Sequence, residues 1–283
     1  MAFELSQAMR EPINKTALAY QLGISRSMLY YQHKQPDKDW QLKTEIEQVL
    51  HKHQSYGHKR IADCLGRNKK PVLRVMKLYS IKPYRRRKKP KDKTKKIPQE
   101  TSIFPNLLIQ PANYPQHPNH IWATDFTYLP FQRKFIYLAT VLDLFARQIV
   151  GFNLLTRHDA QLVSNALIYA LTLQPRPDIL HSDQGKEYAS RHFNILTSNA
   201  GIIRSMSRPG CPWENGYQES FYSQFKVDLG DPNRFEHLGE LVYAVFRAIH
   251  TYNHERIHTA LNMAPAVFAE AWKRSLQGVS VSV

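Results

Sequence analysis

An α/β core carried behind small all-α modules is the fold class that this 283-residue sequence predicts. Three observations predict it. From residue 120 onward, β-branched and aromatic runs come as three successive strands and then alternate with helical patterns. Before residue 82 the apolar residues recur at helical spacing. Between these regions lies a stretch too basic and too rich in proline to hold a core. The expected division is a helix-turn-helix-like module at 1–40 and a second helical module at 41–81. A basic, then Pro-rich, linker follows at 82–119, with the core at 120–275 and a tail at 276–283.

The elements follow in order. Residues 15–22 read as a short helix with Ala17, Leu18 and Leu22 at core spacing. Gly23, Ile24 and Ser25 supply a turn and an N-cap, and 26–33 read as the second helix of a helix-turn-helix. Ser25, Arg26 and Ser27 then stand where a recognition helix meets a DNA groove, unless the pair is an ordinary helical hairpin. In the second module Leu42, Ile46, Val49 and Leu50 form an apolar stripe, a further helix starts at Lys59, and Pro71 opens a third. Val72, Val75, Met76 and Leu78 make the third helix's buried face, which leaves His58, Lys59, Arg60, Arg74 and Lys77 at exposed positions suited to a DNA backbone. In the core the strands are 121–129, 134–144, 148–155, 178–181 and 202–206. Helices fill 160–173, with Asp159 as N-cap, and 190–200, closed by Gly201.

Charge is distributed unevenly. Of a net +16, residues 51–100 hold eighteen Lys and Arg against three Asp and Glu, whereas the first fifty residues and the core are almost neutral. Ten of those cations fall in 82–96, including Arg85, Arg86, Arg87, Lys88 and Lys89. Such a block attracts phosphate backbone strongly and with steep salt dependence; a solvated tail is the alternative. Only Cys64 and Cys211 are present, far apart, which excludes a disulfide framework or a cysteine-based zinc finger. No leader pattern and no apolar run of about 18 residues occurs, so a cytoplasmic protein is expected.

Three carboxylates stand out from the rest. Asp125 lies within a β-rich run, Asp183 ends a short apolar strand, and Glu219 lies on a helix that runs to Asp228; 35 residues separate the last two. Two strand acids and a helix acid can converge on one point, where cations must offset their repulsion. Magnesium takes such oxygen ligands, and a pair of ions about 3.5–4 Å apart clamps both oxygens of a phosphoryl displacement. Solvated surface acids are the bland reading.

At these residues the chain resembles the DDE transposases of bacterial insertion sequences, specifically the integrase-like subunit of the IS-three family. The pieces that carry the resemblance are Trp122-Ala123-Thr124-Asp125-Phe126-Thr127-Tyr128, His181-Ser182-Asp183-Gln184-Gly185 with Tyr188, and Ser205-Met206-Ser207-Arg208. Trp213-Glu214-Asn215, Glu219-Ser220-Phe221 and Tyr252-Asn253-His254-Glu255-Arg256-Ile257-His258 complete them. It covers roughly residues 45 to 272, with one departure, Glu214 where such proteins more often carry Asp. The resemblance implies a ribonuclease-H-like, retroviral-integrase-type core. It also implies catalytic Asp125, Asp183 and Glu219 binding two Mg2+ ions, with Mn2+ as a substitute. The activity it implies is strand cleavage and strand transfer at the element's terminal inverted repeats and into target DNA. A homo-oligomer on DNA is expected, and an upstream-frame partner or fusion is open.

Around this site, Lys226 follows Glu219 by two helical turns and shares its face, where a DNA phosphate would lie. Gln218 and Ser223 are weaker candidates. Trp213 is placed to stack on a frayed base or to pack its loop, and Arg208 to touch phosphate. His181 either supports the catalytic acid or is a buried core histidine; Asn215, Arg256 and His258 are read as supporting residues, the last two buttressing the core from a C-terminal helix. Asp143, Asp159 and Glu187 are read as structural. Two readings compete with a transposase: a DNA-binding regulator or decayed transposase without catalysis, and a zinc peptidase, because 254–258 spells H-E-x-x-H.

Overall fold

Strand β1 (Ile121–Phe131) organises the core because its side chains alternate between two apolar layers. Ile121, Ala123, Leu129 and Phe131 face one layer and Trp122 the other. The structure, a computed structural model, describes residues 14–30, 35–84, 103–110 and 113–276. Strands β2 (Lys134–Asp143) and β3 (Ile149–Leu155) run antiparallel beside β1. Strands β4 (Ile179–Ser182) and β5 (Ile203–Met206) run parallel on its other side. The sheet order is therefore β3-β2-β1-β4-β5, the ribonuclease-H-like arrangement. The β1–β2 hairpin turns through Gln132 and Arg133, at φ 45° and 64°; paired positive φ values match the twist of the strands they join.

The N-terminal helices are α1 (Lys15–Gln21), α2 (Gln35–Lys52), α3 (His58–Cys64) and α4 (Lys69–Leu78). α2, α3 and α4 share a core of Leu42, Ile46, Tyr56, Ile61, Ala62, Val72, Val75 and Met76. α4 starts two residues ahead of Pro71 because Asn68 caps it, accepting from the Lys70 amide at 3.1 Å. The helix-turn-helix reading does not carry over to the described residues. Residues Arg26–Tyr30 form a 3-10 stretch instead of the start of an α-helix, and Ala17 and Leu22 are exposed while Ala19 is buried. Seven residues of helix and one tight turn bury too little apolar surface to impose the longer pattern.

α5 (Ala160–Leu173) carries the chain from β3 to β4 and covers one face with Leu162, Val163, Ala166, Leu167 and Ala170. Asp159 caps it, accepting from the Gln161 and Leu162 amides at 3.1 and 3.3 Å. The helix approaches β3 very closely: a Cβ on Gly151 would lie 2.4 Å from the Ala166 carbonyl oxygen and 2.6 Å from the Ala170 Cβ. Gly151→Ala therefore has to push helix and strand apart, and should cost about 1–3 kcal/mol, read as a lower urea midpoint. An unchanged midpoint would show that α5 is not held against β3.

α6 (Lys186–Ala189) is one turn; α7 (Arg191–Asn199) follows, capped by Ser190. α8 (Gly216–Leu229) and α9 (Leu238–His254) cover the opposite face of the sheet with Phe221, Tyr222, Phe225, Leu241, Val245 and Ile249. α10 (Pro265–Leu276) closes the described chain. Among the described residues no helix is long and apolar enough to cross a membrane.

Residues 52–56 fasten the helical unit to the core. The Tyr56 hydroxyl accepts from the Ile257 amide at 2.8 Å, Ser55 Oγ accepts from Gln224 and Arg256 at 2.7 and 3.1 Å, and Lys52 pairs with Glu255 at 2.7 Å. Ile257 itself packs against the helical core.

Candidate active site

Register sets the positions of the two strand acids. β1 and β4 are parallel with Ala123 opposite His181. Two residues further on come Asp125, on the same face of β1 as Ala123, and Asp183, immediately past the end of β4. That face is covered by α8, which is held there by polar contacts instead of apolar packing alone. Gln218, fully buried, donates to the Ala123 carbonyl at 2.7 Å and accepts from Thr140 Oγ1 at 3.0 Å. The Tyr222 hydroxyl donates to the Asp125 carbonyl at 2.7 Å. Glu219 lies between these two attachments, and its side chain stands at the exposed end of the site.

Electrostatics tie the three acids together. The Asp125 carboxyl is pushed up to about 7 by burial first, then by the charges of Asp183 and Glu219; the Phe126 amide on its Oδ1 at 2.8 Å and the Lys226 ammonium act the other way. Burial also raises Asp183, opposed by the Gly185 amide at 2.9 Å, with Glu187 adding to the rise. A Cβ on Gly185 would meet Asp183 Oδ1 and Glu187 Oε2 at 3.0 Å, so glycine lets its backbone close under the carboxylate. Lys226 also stands 5.0 Å from the ring centre of Tyr128. Among the described residues no three His, Cys, Asp or Glu side chains close into a preformed metal cage. The trio is in electrostatic reach without being tightly clustered, as unscreened like charges require.

The remaining candidates divide. His181 is fully buried, and its Nδ1 pairs with Ser205 Oγ at 2.8 Å while Nε2 has no partner. Burial pushes its imidazole down to about 4, so it is a neutral core histidine near neutral pH. Arg208 is bound to Glu214, with Nε to Oε1 at 2.7 Å and Nη2 to Oε1 at 2.6 Å. Glu214 also accepts from Asn106 and from the Arg208 amide, both at 2.7 Å. The one departure from the family pattern thus fastens the loop that leads into α8. Trp213 is 58% exposed, and Asn215 is buried with an unpartnered Oδ1. Lys59 and Arg26 are exposed.

Arg60 is not on the outer face expected from its spacing. It turns toward the core, where Nη2 donates to Thr259 Oγ1 at 3.1 Å, because the covering surface comes from a distant part of the chain. Arg256 is buried and bonded to Asp228 at 2.7 Å. Neither Arg256 nor His258 is on a helix, since α9 ends at His254. His258 lies in an isolated β-bridge with Met263, so the two histidines of H-E-x-x-H do not share a helix face and the zinc reading fails on geometry. Arg85, Arg86, Arg87, Lys88 and Lys89 lie outside the described residues. Sequence reasoning missed the attachments made by Gln218, Tyr222 and Thr140, and also Arg147; only the position of Gln218 beside Glu219 signalled any of them.

The chain matches known proteins over the same region. Integrase core domain families match residues 115–212 and 200–265. The transposase for insertion sequence element IS904 of Lactococcus lactis subsp. lactis (strain IL1403) is 34% identical over 78% of this chain and 90% of that protein. The putative transposase InsK for insertion sequence element IS150 of Escherichia coli (strain K12) is 32% identical over 84% of this chain and 87% of that protein. The HTLV-2 integrase catalytic core domain, solved with magnesium, aligns at 19% identity and a TM-score of 0.46 over 54% of this chain and 97% of that one. Identity of this extent across nearly whole chains places the present chain within the insertion-sequence transposases that carry an integrase core domain.

Proposed function

We propose that this chain cuts and rejoins DNA at the ends of an insertion sequence, by in-line phosphoryl transfer at Asp125, Asp183 and Glu219. One observation carries the reading: Asp125 is held on the central strand, where burial first and then the charges of Asp183 and Glu219 push its carboxyl up to about 7. Three carboxylates within electrostatic reach would suit a hard divalent cation, whose charge would draw them together and offset the repulsion that the protein alone leaves in place. When bound, a pair of magnesium ions, for which manganese substitutes, supplies Lewis acidity at the attacking and leaving oxygens. The chain's own residues position and orient. Gln218 and Tyr222 keep Glu219 over the strand acids, and Lys226 offers a cation to a DNA phosphate beside them. Cleavage and strand transfer are then one displacement with two nucleophiles, water and a DNA 3′-hydroxyl. We place the contacts with DNA on the helical unit and on the basic segment after it, and a dimer or larger assembly on two element ends.

The test is nicking of a labelled duplex carrying the element's own end, with magnesium, by wild type and by Glu219→Gln. Nicking at the element boundary by wild type, reduced at least a hundredfold in the variant with DNA affinity retained, is the expected result. Equal nicking by both proteins would remove Glu219 from the site. DNA binding without nicking by wild type would favour the non-catalytic regulator.

A further inference from the structure

A cavity of about 560 Å3 opens where the helical unit, α8 and the segment after α9 meet. It is not the carboxylate site. Tyr217, Ser220 and Gln224 line it, and at 100° per residue they occupy the side of α8 turned away from Glu219 and Lys226. Its walls carry Arg60 from α3, Arg147 from the β2–β3 turn and Arg256 from beyond α9, with His258 among them and Trp213 at its edge.

The charges in this cavity do not balance. Arg256 is matched by Asp228 at 2.7 Å, and Glu214 at the rim is taken by Arg208 and Asn106. No ion pair among the described residues takes Arg60 or Arg147. Each of these two also has a buried nitrogen with no hydrogen-bond partner, Nε of Arg60 and Nη1 of Arg147. Three guanidiniums around one cavity with a single paired carboxylate leave hydrogen-bonding capacity and positive charge that suit an anion. His258 adds no positive charge, since burial and then Arg147, Arg60 and Arg256 hold its imidazole down at about 4.

The walls also select the anion. The Arg147 guanidinium lies 4.0 Å from the centre of the Tyr217 ring, which makes a flat platform, and exposed Trp213 offers a second plane nearby. Guanidiniums beside flat aromatic surfaces match a phosphate and its adjoining base. A base inside a paired duplex cannot present its face in this way; an unpaired one can. We propose that the cavity is a second DNA site, which takes one unpaired nucleotide of a strand with its phosphate on Arg60 and Arg147 and its base against Trp213 and the Arg147–Tyr217 stack. This rests on the proposed function only in taking DNA as the ligand.

The test uses the full chain without divalent ions, so it reads binding and is independent of nicking. A single-stranded oligonucleotide containing 5-iodouracil is crosslinked by light, and the adduct is mapped by mass spectrometry. The expected adduct lies in the peptide containing residues 213–217, and Arg147→Gln binds the same oligonucleotide about tenfold more weakly with an unchanged melting temperature. Adducts confined to other peptides, or wild-type affinity in a folded Arg147→Gln protein, would overturn the proposal. So would two competition results: a free deoxynucleoside monophosphate displacing the strand at equal concentration, or poly-glutamate doing so at equal charge. Nicking without this adduct would leave the catalytic reading standing alone, and the adduct without nicking would do the converse.

Discussion

Asp125→Asn protein is expected to nick no DNA at any magnesium concentration, and yet to melt at a higher temperature than wild type in EDTA at about pH 8. The two effects have one origin. The carboxyl titrates near 7 in the folded protein, against 3.8 for the ordinary group, because folding buries it beside Asp183 and Glu219. The sign follows from proton counting. Between about pH 4 and pH 7 the folded state binds more protons than the unfolded chain, so stability falls as pH rises through that window. Above it, the ionised carboxylate costs the metal-free fold on the order of 2–4 kcal/mol. Asparagine removes that cost, so the gain in melting temperature should be present at about pH 8 and absent at about pH 5. Added magnesium should raise the wild-type melting temperature at pH 8 by binding the folded state alone, and should do much less for the variant. A variant no more stable than wild type at either pH would show that the Asp125 carboxyl is not buried beside the other two acids as the structure places it.

The second large effect is expected at a residue that is not a metal ligand. Gln218→Ala should destabilise the protein by about 2–4 kcal/mol and lower nicking by roughly a hundredfold. Gln218 is fully buried, donates to the Ala123 and Thr140 carbonyls at 2.7 and 3.3 Å, and accepts from the Thr140 hydroxyl. Its truncation strands these partners in a dry layer and frees the first turn of α8, which bears Glu219. Because a fall in activity alone could reflect unfolding, the informative measurement is the magnesium concentration for half-maximal nicking, at a temperature where the variant is fully folded. A rise in that concentration marks a displaced Glu219; an unchanged value with lower turnover would place the role of Gln218 elsewhere.

Much of the core was legible in the sequence because its determinants are local. Runs of β-branched and aromatic residues marked β1 and β2, Asp159 announced α5, and Gly201 closed α7, where it sits at φ 64°. The strand acids were legible through the motifs around them. What escaped was whatever depends on surfaces brought together from far apart in the chain. Arg60 has the spacing of an exposed helical residue, and its neighbours Thr259 and Arg256 come from the other end of the chain. H-E-x-x-H is a helical motif only if a helix continues through it, and here Glu255 is already the cap of α9. α10 carries no motif and was not separated from the helix before it. Ala17 and Leu22 follow a helical period, but among the described residues no layer covers them.

α8 does two jobs at once: it bears Glu219 and it roofs the sheet, with Phe221, Tyr222, Phe225 and Leu229 lying over β1 and β2. This double duty decides what a shortened copy of the chain would become. A reading frame interrupted before residue 216 would make the helical unit and all five strands, but would leave Ala123, Leu138 and their neighbours open to water. Such a chain is expected to aggregate or be degraded instead of persisting as a folded protein. On the proposed function, loss of the third carboxylate and loss of the fold would therefore come together.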